Sequence, residues 1–221
     1  MYKSARISLL NEIDIYPVTC EALSAGRTSV EILDGLLAGG ARIVQLREKD
    51  LSVAELYELA LVFRGKTREA GALLIVNDHL DLALAVEADG VHLGQDDLPL
   101  AAARRIAPDL LLGRSTHNLA QALAAQEQGA DYVNLGPIYP TKTKTGHSAF
   151  LGPDGIRQIM PSLHIPFTVM GGINENNLDA VLAAGARRIA VVTAVTQAPD
   201  VAGAVRQFRR RILAANEAYR E

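Results

Sequence analysis

Four cationic side chains of this 221-residue chain lie in two short motifs, QLREK and TKTK. Arg47 and Lys49 alternate with Gln45 in the first motif, so the three side chains would share one face of a strand. Lys142 and Lys144 alternate in the second motif. Lysine and arginine bind phosphate oxygens, and arginine can engage two of them at once. The four cations are therefore suited to a diphosphate.

Two aspartates, Asp78 and Asp97, follow two other apolar runs. If those runs are neighbouring parallel strands, about 4.8 Å apart, the two carboxylates can approach one cation. Two carboxylates that leave positions for water and phosphate oxygen are typical of Mg²⁺. The sequence thus predicts one Mg²⁺ per active site. Alternatively, Asp78 with Asn77 caps a helix that begins near His79, and Asp97 with Asp96 caps the next helix.

The elements that must position these residues alternate along the chain. Four times a helix ends at Gly-Ala or Ala-Asp and a short β-branched run begins at once, as in GADYVNLG (129–136). Eight strands are predicted near residues 14–19, 42–46, 73–76, 90–93, 111–114, 132–135, 167–170 and 188–192. Amphipathic segments such as 53–70, 119–128 and 178–184 predict helices between them. This alternation favours an α/β fold with a single (β/α)8 TIM-barrel domain over residues 1–221. An open doubly wound sheet is the alternative, but no GxGxxG motif follows the first strand.

The active site of a TIM barrel lies at the C-terminal ends of its strands, and several strands of this chain end in polar or small residues. Strand five runs into Ser115. Strand seven stops at Gly171 and Gly172, and strand eight stops at Val192 and Thr193. Backbone N–H groups at a helix start can bind a phosphate. We therefore expect a second anion pocket, so that the site binds two phosphorylated groups.

The composition excludes several other functions. The formal net charge of −3 disfavours nucleic acid, which requires a clustered basic surface. Cys20 is the only cysteine, so an internal disulfide is excluded, and no Cys/His cluster has zinc-ligand spacing. No run is apolar and long enough to cross a bilayer or to act as a secretory signal, so we expect a cytoplasmic protein without a membrane partner. Small-molecule substrates are expected. A homo-oligomer is compatible with the sequence, which does not fix the number of subunits.

Several motifs make the chain resemble the thiamine phosphate synthase family over nearly the whole barrel. They are IVQLREKD (43–50), LIVNDHLDLALAVEADGVHLGQDDLP (74–99), GRSTHN (113–118), DYVNLGPIYPTKTK (131–144), VMGGINENN (169–177) and AVVTAV (190–195). The resemblance implies a magnesium-dependent transferase. Its substrates would be 4-amino-5-hydroxymethyl-2-methylpyrimidine diphosphate and hydroxyethylthiazole phosphate, joined with release of pyrophosphate in a dissociative, carbocation-like substitution.

The resemblance also implies a role for each matching residue. The residues implied in catalysis are Arg47, Lys49, Ser115 and Lys144. Those implied to bind the pyrimidine diphosphate are Gln45, Leu46, Arg47, Glu48, Lys49, Asn77, Ser115 and Lys144. Those implied to bind the thiazole phosphate are Thr141, Lys142, Thr143, Gly172, Val192 and Thr193. The metal ligands are implied to be Asp78 and Asp97.

The sequence leaves three alternative functions to consider. A thiazole tautomerase or regulatory relative shares the barrel, but it lacks the full set of diphosphate residues present here. A different phosphate-binding barrel enzyme, such as a sugar-phosphate epimerase, would need acid–base pairs that are not evident. A non-catalytic sensor would bind thiamine compounds without turnover. The family pattern is not followed at Asn134, where glycine is commoner, or at residues 145–152, where a lysine-, acid- and proline-rich lid is usual. His92 is interpreted as a structural residue inside its strand.

Overall fold

The computed structural model describes residues 2–141 and 149–218, and within these ranges eight strands form one parallel sheet. The strands are Ile15–Pro17 (β1), Ile43–Leu46 (β2), Leu73–Asn77 (β3), Gly90–Leu93 (β4), Leu111–Thr116 (β5), Tyr132–Leu135 (β6), Phe167–Val169 (β7) and Ile189–Val191 (β8). From β2 to β8 each strand pairs with the next, and β8 pairs with β1. A bridge between Val18 and Gln45 joins β1 to β2. The predicted (β/α)8 TIM barrel is confirmed.

Helices alternate with the strands and surround them. They are Lys3–Asn11 (α1), Ser29–Ala38 (α2), Val53–Glu69 (α3), Leu80–Ala85 (α4), Leu100–Ile106 (α5), Leu119–Glu127 (α6), Gly152–Ile159 (α7), Leu178–Ala183 (α8), Thr193–Thr196 (α9) and Val201–Ala218 (α10). Two 3₁₀ helices lie at Glu21–Leu23 and Met160–Ser162. Capping boxes fix the starts of α2 and α3, where Thr28 and Ser52 accept bonds from backbone N–H groups one turn later. Among the helices described, none is long and apolar enough to cross a membrane.

Helix α1 covers the N-terminal end of the barrel, and the apolar pattern of the sequence does not predict it. Leu10 is fully buried in the apolar cluster of the barrel interior. Nε of Arg6 donates to Oδ1 of Asp89 at 3.2 Å, and Nζ of Lys3 lies 2.9 Å from Oδ1 of Asp131. Asp89 and Asp131 directly precede β4 and β6. The helix is thus held to the barrel by both apolar packing and ion pairs.

Alternate strand residues divide the core into two apolar clusters. One cluster, which includes Val44 and Leu112, fills the space between the strands and the helices. The other, which includes Ile43, Ile75 and Leu111, fills the barrel interior near the strand starts. Towards the strand ends the inward positions become polar or small, which leaves an open cavity there.

Candidate active site

A cavity of about 650 Å³ opens at the C-terminal ends of the strands. The predicted site residues that line it are Gln45, Arg47, Lys49, Asn77, Asp78, Asp97, Ser115, Thr141, Gly172, Val192 and Thr193. Lys142, Thr143 and Lys144 lie outside the described residues, as do positions 145–148 of the segment 145–152. The barrel therefore brings residues from distant motifs to one mouth, where enzymes of this fold carry out their chemistry.

Lys49, Asp78 and Asp97 form a charged group at one side of the cavity. Nζ of Lys49 donates to Oδ2 of Asp78 at 2.7 Å, and the carboxyl groups of Asp78 and Asp97 lie within hydrogen-bond distance. Burial opposes ionisation of Asp78, but the bonds from Lys49 and Asp97 outweigh it and hold the pKa of Asp78 below its usual value. Burial and the facing Asp78 carboxylate raise the pKa of Asp97. A cation between the two carboxyl groups would reduce the electrostatic repulsion between their ionised forms.

The helix-capping interpretation of these acidic residues is wrong. Helices α4 and α5 have His79 and Pro99 as their N-caps, and neither cap position makes a side-chain capping bond. Oδ2 of Asp97 instead accepts a bond from the N–H of Gly94 at 2.6 Å, within its own loop. Asp78 has a φ of 64°, a left-handed conformation that aspartate adopts more readily than most residues. This turn at the end of β3 places the Asp78 carboxylate in the cavity wall.

Leu46 and Glu48 have side chains that do not line the cavity. Leu46 is buried in the cluster between the barrel and the helices. The Glu48 carboxylate accepts bonds from the N–H of Glu21 and the hydroxyl of Ser29, both at 2.8 Å. Glu48 therefore anchors the loop after β1 to the start of α2. Any contact of Leu46 or Glu48 with a substrate has to come from the backbone.

The loops after β6 and β7 pack directly against each other. The N–H groups of residues 138–139 donate to the carbonyls of residues 170–171, each at 2.9 Å. Gly172 has a φ of 62°, and a Cβ at this position would collide with the carbonyl of Pro140. Glycine is thus required at 172 for both conformation and space. This packing brings Thr141, which follows Pro140, to the same wall of the cavity as Gly172.

Five polar side chains form one hydrogen-bonded series across the cavity floor, from Gln45 through Tyr16, Tyr132 and His92 to Ser115. The sequence predicts the two ends of this series as site residues, but it does not predict the two tyrosines. Both tyrosines occupy inward positions of their strands, and strand alternation is the signal that could have found them. His92 lines the cavity as well as packing inside its strand.

Asn134, the residue that replaces a commoner glycine, lies in the cavity wall. Its Oδ1 accepts a bond from the hydroxyl of Thr168 at 2.8 Å. This bond joins β6 to β7 in the wall of the cavity. The side chain thus fills space that a glycine would leave open.

The donor set for a metal consists of the two carboxyl groups of Asp78 and Asp97. Within residues 2–141 and 149–218, no group of three or more His, Cys, Asp and Glu side chains is placed to hold a metal ion. Such a pair suits a cation that takes its other ligands from water and phosphate, as Mg²⁺ does.

Known proteins similar to this chain point to one family. Residues 15–195 match the family model described as thiamine monophosphate synthase. The thiamine-phosphate synthase of Chloroflexus aurantiacus is 49% identical over 203 residues, which cover 92% of this chain and 94% of that protein. The one from Methanospirillum hungatei is 48% identical over 195 residues, 88% of this chain and 95% of that protein. The solved structure of thiamine phosphate pyrophosphorylase from Pyrococcus furiosus has a TM-score of 0.86 at 39% identity, covering 94% of this chain and 98% of that one.

Proposed function

Since the chain belongs to the thiamine monophosphate synthase family and is a transferase that makes thiamine phosphate, we propose that its cavity binds two phosphorylated heterocycles at opposite walls. The pyrimidine substrate is 4-amino-5-hydroxymethyl-2-methylpyrimidine diphosphate, and the thiazole substrate is hydroxyethylthiazole phosphate. The observation that carries this proposal is that two groups of residues line different walls of one cavity. Lys49, Asp78 and Asp97 lie beyond the ends of β2 to β4, and Gly172 and Thr193 lie beyond the ends of β7 and β8. Two phosphate sites at one mouth fit a reaction between two phosphorylated partners.

The residues of the wall beyond β2 to β4 are suited to bind the pyrimidine diphosphate. The bond between the methylene carbon and the diphosphate oxygen breaks, and both electrons leave with pyrophosphate while the ring amino group donates electrons toward the carbon. The thiazole nitrogen then forms the new carbon–nitrogen bond. No strong base is needed, because the main requirement is to neutralise charge on the leaving group. Arg47 and Lys49 line the cavity wall and would supply the neutralising positive charge there. We assign Lys144 to the same role.

The residues of the wall beyond β7 and β8 are suited to bind the thiazole phosphate. Gly172 lies where the loops after β6 and β7 pack together, with Thr141 beside it. Val192 and Thr193 begin α9 at the end of β8. We assign the thiazole phosphate to these four residues together with Lys142 and Thr143. In this assignment the threonines would bind the thiazole phosphate and Lys144 would bind the pyrophosphate, and Thr143 and Lys144 lie outside the described residues.

Asp78 and Asp97 fit one Mg²⁺, because they form a pair of facing carboxyl groups next to the proposed diphosphate position. When bound, the ion would neutralise charge on the pyrophosphate oxygens. Lys49 holds the pKa of Asp78 below its usual value, which keeps that carboxylate ionised and able to act as a ligand.

We also propose that the protein works in the cytoplasm on small molecules and does not bind nucleic acid. The formal net charge of −3 supports the absence of a nucleic-acid partner. The free thiol of Cys20 is compatible with a reducing compartment.

The test supplies both substrates with Mg²⁺ and measures thiamine phosphate and pyrophosphate in the same sample. Equal amounts of the two products are expected. Lys49→Ala should lower turnover by about 10²-fold, because one cation at the leaving group is lost. Lys66→Ala is the matched control, since it breaks an exposed pair with Asp34 that has the same length of 2.7 Å.

Binding of both substrates without either product would contradict the synthase function and favour a ligand sensor. Equal turnover of the two lysine variants would remove Lys49 from the leaving-group site.

A further inference from the structure

The hydrogen-bonded series across the cavity floor is continuous from one side of the barrel to the other. Nε2 of Gln45 donates to Oη of Tyr16 at 2.9 Å, and Oη of Tyr16 lies 2.9 Å from Oη of Tyr132. Oη of Tyr132 lies 3.1 Å from Nδ1 of His92, and Nε2 of His92 lies 2.9 Å from Oγ of Ser115. The series therefore ends at a hydroxyl that lines the cavity.

The direction of the series follows from the orientation of the Gln45 amide, whose Nε2 faces Tyr16, and from the single proton of each phenol. Each phenol has one proton, and both tyrosine side chains are buried. Oη of Tyr16 accepts the bond from Gln45, so its own proton goes to Tyr132, its other hydrogen-bond partner in the described part of the chain. The proton of Tyr132 then goes to Nδ1 of His92. The opposite direction at Tyr132 would leave the Tyr16 proton without a protein acceptor among these hydrogen bonds and would turn it toward the cavity.

The packing around His92 supports this arrangement. A Cβ at Gly113 would collide with the Tyr132 hydroxyl and with Nδ1 of His92, so glycine leaves the space in which the two groups meet. The rings of Tyr16 and Tyr132 pack edge to face with centroids 6.0 Å apart. The His92 ring lies 5.6 Å from the Tyr132 ring. The orientation of each ring is thus fixed by its neighbours as well as by its hydrogen bonds.

We propose that His92 is a positioning residue whose neutral Nε2–H tautomer donates to Oγ of Ser115, so that Ser115 presents its own proton to the pyrimidine substrate. The Nδ1 atom accepts from Tyr132, which leaves the ring proton on Nε2. Since Oγ of Ser115 then accepts from His92, its hydroxyl is a donor toward the cavity. The identity of the acceptor as the pyrimidine substrate rests on the proposed function, whereas the tautomer and the direction of the bonds do not.

A direct test measures the His92 tautomer in the protein without substrates. Side-chain ¹⁵N shifts of ¹⁵N-histidine-labelled protein distinguish a neutral ring with the proton on Nε2 from one with the proton on Nδ1, and the His92→Gln variant assigns the signal. A proton on Nε2 is expected. A proton on Nδ1 would reverse every bond in the series, with the Gln45 amide turned over, and would overturn the proposal. Tyr132→Phe should admit the other tautomer, whereas Tyr57→Phe, at an exposed position on α3, should not.

Kinetics separate positioning of Ser115 from a general structural role. His92→Met removes the donor to Ser115 and should lower turnover about tenfold or more, with the KM for thiazole phosphate unchanged. His92→Gln keeps an N–H donor and should restore most of the turnover. His164→Met, on an exposed histidine, is the control.

The double variant His92→Met/Ser115→Ala should be no slower than Ser115→Ala alone, because His92 acts through that hydroxyl. Independent, additive losses would overturn the positioning role. If the wild-type protein made no thiamine phosphate, the proposed function would fail, and the tautomer measurement would still decide this proposal.

Discussion

Asp78 and Asp97 stand together at the mouth of the cavity, but their surroundings differ. Asp78 accepts a bond from Lys49 at 2.7 Å, whereas Asp97 accepts one from the backbone of Gly94 at 2.6 Å. Burial and the facing Asp78 carboxylate raise the pKa of Asp97. Asp97 is thus the carboxyl group whose ionisation would gain more from a bound cation.

Asp97→Asn should raise the Mg²⁺ concentration needed for half-maximal turnover about tenfold or more, because one of two ligand charges is removed. The asparagine can still accept the bond from Gly94 and can donate to Asp78, so the loop should keep its structure. A Mg²⁺ titration of turnover checks this, together with the rise in melting temperature on adding Mg²⁺ and pyrophosphate. Asp81→Asn, on the exposed side of α4, is the control. If the variant had the same Mg²⁺ dependence of turnover and of melting temperature as the wild type, Asp97 would be excluded as a ligand.

The site residues that could be predicted from the sequence lie in short motifs at strand ends. QLREK, for example, puts Gln45, Arg47 and Lys49 on one face as soon as the strand is recognised. The series on the cavity floor is different, because 116 positions separate Tyr16 from Tyr132. No local spacing connects two such residues, so their contact follows only from the order of strands around the closed barrel.

The same difference between local and distant contacts applies to whole elements. The predicted strands lie within two residues of the observed bounds, because strands buried on both faces have near-continuous apolar runs. Helix α1 was not predicted. Its buried side contains both Arg6 and Leu10, and each meets a part of the barrel far along the chain. A buried arginine breaks the apolar period that identifies an amphipathic helix, so the pattern is lost.

Arg6→Met should destabilise the protein by about 2 kcal/mol, because it removes a cation from Asp89, whose side chain is nearly fully buried. The loss should stay below the roughly 3–5 kcal/mol of a fully unpaired buried charge, since Arg64 still lies 2.7 Å from Asp89. Urea unfolding measures the change. Arg42→Met is the matched control, because it breaks an exposed pair with Glu12 and should cost less than about 1 kcal/mol. Equal losses in the two variants would show that α1 does not depend on its buried ion pair.

Across the whole molecule, the two ends of the barrel have different tasks. The N-terminal end is closed by α1, and its buried aspartates pair with arginines and lysine. The C-terminal end keeps charged side chains around an open cavity. Tyr16 and Tyr132 lie between the two, with their rings in the apolar interior and their hydroxyl groups hydrogen-bonded to each other next to the cavity. Their ionisation therefore reports on the folding of the entire barrel.

Burial is the largest cause that raises the pKa of Tyr16 and of Tyr132 above the usual value of 10.0. Above about pH 10 an unfolded chain releases these phenol protons while the folded barrel retains them. The folded state then binds more protons than the unfolded state. The contribution of the two phenols to the free energy of unfolding is therefore fully present below that pH. It falls as the pH rises, by about 1.4 kcal/mol per pH unit for each tyrosine. Urea unfolding between pH 9 and 11 should show this decline, and Tyr132→Phe should reduce its slope by about the share of one tyrosine. Tyr57→Phe changes an exposed ring on α3 and should keep the wild-type slope. If Tyr132→Phe also kept that slope, the phenol of Tyr132 would have to ionise in the folded barrel as readily as in the unfolded chain, which would contradict its burial.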